Sequence, residues 1–183
     1  MRTDNQDFAE TPDGGLTQGL RDVDRIRSIV SPSSAVVAVS LSTRRMKRYM
    51  RKDFYFVSRQ LFFARGEASR LGSYALVDAE AAASDLESVL AGMGANSVWT
   101  HGRERYVVRL LHPRCARLLR VVRRIDVCAG RLLALELEGG ISRRERNEIL
   151  RPAVRALEMV KRSLLHGASD HEQRSGLTAR ADP

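Results

Sequence analysis

The chain has few of the residues from which enclosed catalytic or redox sites are built. Aromatics make up 5% of its 183 residues, with a single Trp, so a core has to be assembled mainly from Leu, Val, Ala, Ile and Met. Its two cysteines, Cys115 and Cys128, lie thirteen residues apart inside a helical apolar pattern. That spacing fits no metal clip and reads as two buried thiols in a reducing compartment. No apolar run approaches the roughly 18 residues of a membrane span. The acidic opening MRTDNQDFAETPDGG lacks the basic and apolar regions of a secretory leader. The expectation is a cytoplasmic protein with no membrane partner. His101, His112, His166 and His171 are scattered without metal-ligand spacing, and neither a glycine-rich phosphate loop ending in Lys-Ser/Thr nor a G-x-S-x-G is present. Nothing in the sequence asks for an enzyme, a metal or a cofactor.

What the chain has is positive charge. Its formal net charge is +9, with 28 of its 31 basic residues Arg and 3 Lys. Such an excess attracts polyanions and releases their counterions, which points to nucleic acid or an anionic surface. An Arg-rich composition also follows from a GC-rich genome, and charge alone does not separate the two.

Periodicity divides the chain into an arm over 1–33, disordered or partly helical, a core over 34–166, and a disordered tail over 167–183. AVVAVSLS, Ala35 to Ser42, is short and β-branched and predicts a strand with Val37, Val39 and Leu41 on one face and Val36, Ala38, Ser40 and Ser42 on the other. Thr43 stands at an N-cap position, and Met46, Met50, Phe54, Val57, Leu61 and Ala64 carry a helix to Gly66. A second helix is expected from about Val77 to Met93, closed by Gly92 and Gly94, with Asp78, Glu80, Asp85 and Glu87 on an acidic exposed side. ERYVVRLL, Glu104 to Leu111, predicts a second strand, with Val98 and Trp99 in the same strand or in a preceding hairpin arm. From His112-Pro113 the stripe Cys115, Leu118, Leu119, Val122, Ala129, Leu132 and Leu133 marks a third helix ending at Gly139-Gly140. Ser142 and Glu145 form a capping box for a fourth, which Pro152 should kink or split.

The fold expected is therefore mainly α with short β-strands, a strand-helix-helix unit repeated twice in the manner of a ribbon-helix-helix. In that arrangement antiparallel strands enter the major groove and outward strand residues read bases. Ser40 and Ser42 on the first strand, and Arg105 and Arg109 on the second, are the candidates for base reading, with Arg103 beside them a further candidate for DNA contact. Whether the strands pair within a chain or between two chains is open. Arg44, Arg45, Lys47, Arg48 and Arg51 make the start of the first helix basic and suit phosphates, helped by the positive end of the helix. Arg114, Arg117, Arg120, Arg123 and Arg124 repeat the pattern in the third helix, where Asp126 falls on the core side and predicts an internal carboxylate held by an Arg or Tyr. Phe54, Tyr55, Phe56, Phe62 and Phe63 are read as core or interface rings in preference to base-stacking platforms.

The stretch from Ala35 to Leu165, through AVVAVSLSTRRMKRYM, the strand running into RLLHPRCARLL, RRIDVCAG with its mid-helix Asp, and ISRRERNEIL, resembles the AcaB-type transcriptional activators of integrative conjugative elements and conjugative plasmids. The resemblance implies a sequence-specific DNA-binding activator of transfer genes with a ribbon-helix-helix reader. Its implied partners are double-stranded DNA, further copies of itself as a dimer or larger, and RNA polymerase. The chain departs from that pattern over Leu71 to Ala95, where the helix is short and Ala-rich. A second function class is an accessory protein of a conjugation apparatus docking on an acidic protein, and a third is an RNA binder.

Overall fold

The structure, a computed structural model, describes residues 34–178 apart from 96, 98, 100 and 101, with side chains on the last helix as far as Leu165. The arm over 1–33, Val98, His101 and residues 179–183 lie outside the described residues. The order is β1 (Ala35–Leu41), α1 (44–63), α2 (Gly66–Gly92), β2 (Glu104–Leu110), α3 (Pro113–Leu137) and α4 (Arg143–Thr178). The protein is mainly helical with a two-stranded antiparallel sheet.

β1 and β2 pair with each other within the chain, from Ala35 opposite Leu110 to Leu41 opposite Glu104. Alternation assigns the faces: Val39, Leu41, Val108 and Leu110 are buried, while Val36, Ala38, Ser40, Arg105 and Val107 are exposed. α3 lies beneath both strands and also packs on α1, α2 and α4, so it is the centre of the core. Its buried side chains include Leu118, Val122, Ile125 and Leu132. Cys115 and Cys128 are among them, unpaired, and burial pushes both thiols up, Cys128 to about 11.

α1 consists of Arg44–Tyr49, a π-helical stretch Met50–Phe54, and Tyr55–Phe63. The sequence explains the wider turn. Met46, Met50 and Phe54 recur every four residues, and on an α-helix each such step overshoots a full turn by about 40°. The wider π turn keeps all three on the core side, where each is at most 1% exposed.

α2 begins at Gly66, eleven residues before the expected Val77, because Gly72 and Ser73 lie inside the helix where they suggest a loop. Gly72 is there for contact: a Cβ at this position would stand 2.5 Å from Leu164 Cδ2, so its absence lets α2 lie close on α4. α2 and α3 both end in a left-handed glycine, Gly94 and Gly139, with the next N–H returning to a carbonyl of the last turn at 3.1 Å (Ala95 to Leu90) and 2.9 Å (Gly140 to Leu135). The capping box forms as expected, Ser142 N–H donating to Glu145 at 2.8 Å and Glu145 N–H to Ser142 Oγ at 3.2 Å. Pro152 does not split α4, which runs unbroken past residue 166 to Thr178. Trp99 lies outside both strands, its N–H donating to the Gly130 carbonyl at 3.3 Å.

Candidate functional site

The outward sheet face is the first place to look for function, because its residues do not serve the core. Ser40 stands directly opposite Arg105, Ala38 opposite Val107 and Val36 opposite Arg109. Arg105 is exposed and has no ion-pair partner among the described residues. Arg109 is half-buried, and its guanidinium donates to Ser34 Oγ at 3.2 Å, which fixes its direction. Three of the four expected base-reading residues thus share one face. Arg103 is exposed at the ribbon end, lining a groove with Ser40 and Arg123.

Ser42 does not share that face. It follows the last strand residue, and its N–H and hydroxyl both donate to Asp126 Oδ2, at 2.8 and 3.1 Å. Thr43 N–H and Oγ1 donate to Asp126 Oδ1, at 2.8 and 2.5 Å. The Thr43 hydroxyl therefore makes no cap of its own, although Thr43 occupies the N-cap position. Asp126, 3% exposed, is the internal carboxylate expected, but two hydroxyls and two backbone amides hold it instead of an Arg or Tyr. Its charge sits at the positive end of α1. The helix end the sequence offers to phosphates is already occupied.

The basic residues of α1 divide between two directions. Lys47 donates to the Gly102 carbonyl, Arg51 pairs with Glu104 at 2.6 Å, and the Tyr55 hydroxyl donates to Val107 O at 3.5 Å, so this stripe is turned to β2. Arg44, Arg45 and Arg48 are exposed and have no ion-pair partner among the described residues. Of the aromatics, Phe54 is core, while Phe62 and Phe63 pack edge to face with Phe63 half exposed.

The acidic side of α2 and the basic side of α3 meet each other. Arg117 grips Glu80 at 2.8 and 2.6 Å, and one heptad on Arg124 grips Glu87 at 2.7 and 2.6 Å. Asp78 and Asp85 alone of the four acids remain exposed. The hydrogen bonds from Arg117 and Arg124 hold the Glu80 and Glu87 carboxyls below their ordinary 4.5, outweighing burial, which acts the other way. A carboxyl with a lower pKa folded than unfolded stabilises the fold above its unfolded value and ceases to as pH falls through the folded one. Thermal stability is therefore expected to fall as pH drops below 4.5, and to fall less steeply in Glu80→Gln/Glu87→Gln, which starts lower at neutral pH. The pairs are partly exposed, so each contributes at most about 1 kcal/mol. Parallel curves of melting temperature against pH for the two proteins would contradict this account.

Among the described residues no group of His, Cys, Asp and Glu could hold a metal ion, and no helix is long and apolar enough to cross a membrane. Over the described residues the fold is that of a two-stranded ribbon laid on four helices. It is similar to the crystal structure of AcaB from uropathogenic E. coli, with a TM-score of 0.52 and 17% identity over 84% of this chain and 91% of that one. At that identity the likeness is one of fold. No family model matches the chain, and no curated protein matches it in sequence.

Proposed function

We propose that this protein is a sequence-specific DNA-binding transcriptional regulator, an activator of mobile-element or conjugative transfer genes, and not an enzyme. The observation that carries the reading is the outward ribbon face, where Ser40, Arg105 and Arg109 stand around exposed Ala38, Val107 and Val36. A major groove admits a two-stranded ribbon, Arg pairs bidentately with guanine, and small apolar side chains meet thymine methyls. Exposed Arg44, Arg45 and Arg48 lie one helical turn from the end of β1, where backbone phosphates supply affinity and register. The AcaB-like fold and the sequence resemblance to AcaB-type activators support the same reading.

In this reading the two strand-helix-helix units of one chain do the work that two subunits do in a dimeric ribbon-helix-helix. Both arginines come from β2, while β1 offers Val36, Ala38 and Ser40, so the face has no two-fold symmetry. One chain then reads a non-palindromic element, and further copies, as a dimer or larger, occupy neighbouring elements. RNA polymerase is the partner through which an activator would act, and the cytoplasm is where it would do so.

Selection of bound duplexes from a random pool, followed by fluorescence anisotropy, tests the proposal. The selected duplex is expected to bind about a thousandfold or more tighter than a scrambled one at physiological salt. Absence of duplex binding even at low salt would sink it. Salt-insensitive capture of an acidic protein after nuclease treatment would instead favour an accessory protein of a conjugation apparatus.

A further inference from the structure

A cleft of about 360 Å³ opens between the start of α1 and the middle of α4. It is lined by Arg45, Arg151, Arg155 and Arg162, with Glu158 the one acid. All four arginines are exposed, and none has an ion-pair partner among the described residues. The three on α4, Arg151, Arg155 and Arg162, fall at offsets 0, 4 and 11, on one helical face, and span about 16 Å of helix. Val154 and the exposed Met159 supply its apolar lining. Four guanidinium groups around one cleft repel one another, which a bound polyanion relieves.

We propose that this cleft is a second phosphate-binding site, which takes the sugar-phosphate backbone of a duplex engaged by the ribbon. The proposal rests on the DNA-binding reading and extends its footprint to α4. A small anion is the weaker fit, because ligand sites for small molecules enclose most of their ligand, and here every arginine is solvent-exposed. The open cleft suits a polymer that lies along it. Arg48 and Lys52 follow Arg45 at offsets 3 and 7, so the positive surface continues along α1.

The test compares wild type with Arg155→Ala/Arg162→Ala in duplex binding across salt. Each phosphate contact contributes about 0.9 to the slope of log affinity against log salt. Removing two is expected to lower the slope by about 2, so that between 50 and 200 mM salt the variant loses roughly tenfold less affinity than wild type. Selected and scrambled duplexes should weaken by the same factor, and Arg155→Lys/Arg162→Lys should retain the slope. An unchanged slope in the alanine variant, where wild type does bind duplex, overturns the cleft and leaves the ribbon reading standing. A wild type that binds no duplex overturns both. Calorimetry with inorganic tripolyphosphate separates the sources: saturable binding lost in the alanine variant, with the duplex slope unchanged, assigns the cleft to a free anion and overturns the proposal.

Discussion

Asp126→Ala is expected to lower stability by about 3–5 kcal/mol, because it strands two backbone amides and two hydroxyls at once. The carboxylate accepts from the amides and hydroxyls of both Ser42 and Thr43 while only 3% exposed. Removal leaves those four donors without their acceptor, and each buried donor so stranded costs roughly 1–3 kcal/mol unless water reaches it. For a chain of this size the loss corresponds to a fall in melting temperature of roughly 10 °C. Ser42→Ala removes one hydroxyl donor and is expected to cost about 1 kcal/mol. The measurement is chemical denaturation of the two variants with hydrogen exchange on β1. A loss for Asp126→Ala no larger than that for Ser42→Ala would show that the carboxylate does not hold the junction.

The consequence reaches beyond stability. Ser42 and Thr43 join the strand to the first helix, and Asp126 comes from the central helix beneath. One side chain therefore fixes where the ribbon stands relative to the basic start of α1. Exchange at Val36–Ser40 should accelerate in Asp126→Ala more than exchange in the middle of α2.

Much of this was legible in the sequence wherever the signal was local. Strand alternation put Ser40 on the outward side of β1 and Arg105 and Arg109 on that of β2, while the pairing that joins them on one face stayed open; the glycine pairs marked two helix ends, and Ser142 with Glu145 marked a helix start. The partners of charged side chains were less legible, because they depend on which helices become neighbours. Glu80 and Glu87 looked solvated, and Arg117 and Arg124 looked available to a polyanion, until the packing of α2 on α3 joined them. Their shared seven-residue spacing was the available signal. Ser42 fitted the strand pattern by alternation, but a carboxylate 84 residues away ends the strand one residue earlier. Gly72 was misleading for a similar reason, since a glycine that admits a neighbouring helix looks locally like one that breaks its own. Arg151, Arg155 and Arg162 fall at helical spacing, but only the fold brings Arg45 to them.

Arg105→Ala is expected to remove about 1–3 kcal/mol of discrimination at one base pair, roughly a five- to 150-fold loss of preference. Arg109→Ala should act likewise at a second position. Four residues along a strand separate the two by about 13 Å, and substitutions that far apart usually add. The double variant is therefore expected to lose about 2–6 kcal/mol of discrimination while keeping its affinity for scrambled duplex within a few fold. Arg109 should show the cleaner loss, because Ser34 holds its guanidinium in place before DNA arrives, whereas Arg105 is unrestrained. Arg48→Ala provides the contrast: uniform weakening on every sequence and a salt slope lower by about 1. Anisotropy on selected and singly substituted duplexes separates the two behaviours. If Arg105→Ala and Arg109→Ala weakened all duplexes by one common factor, the ribbon would be a phosphate-binding surface and sequence would have to be read elsewhere.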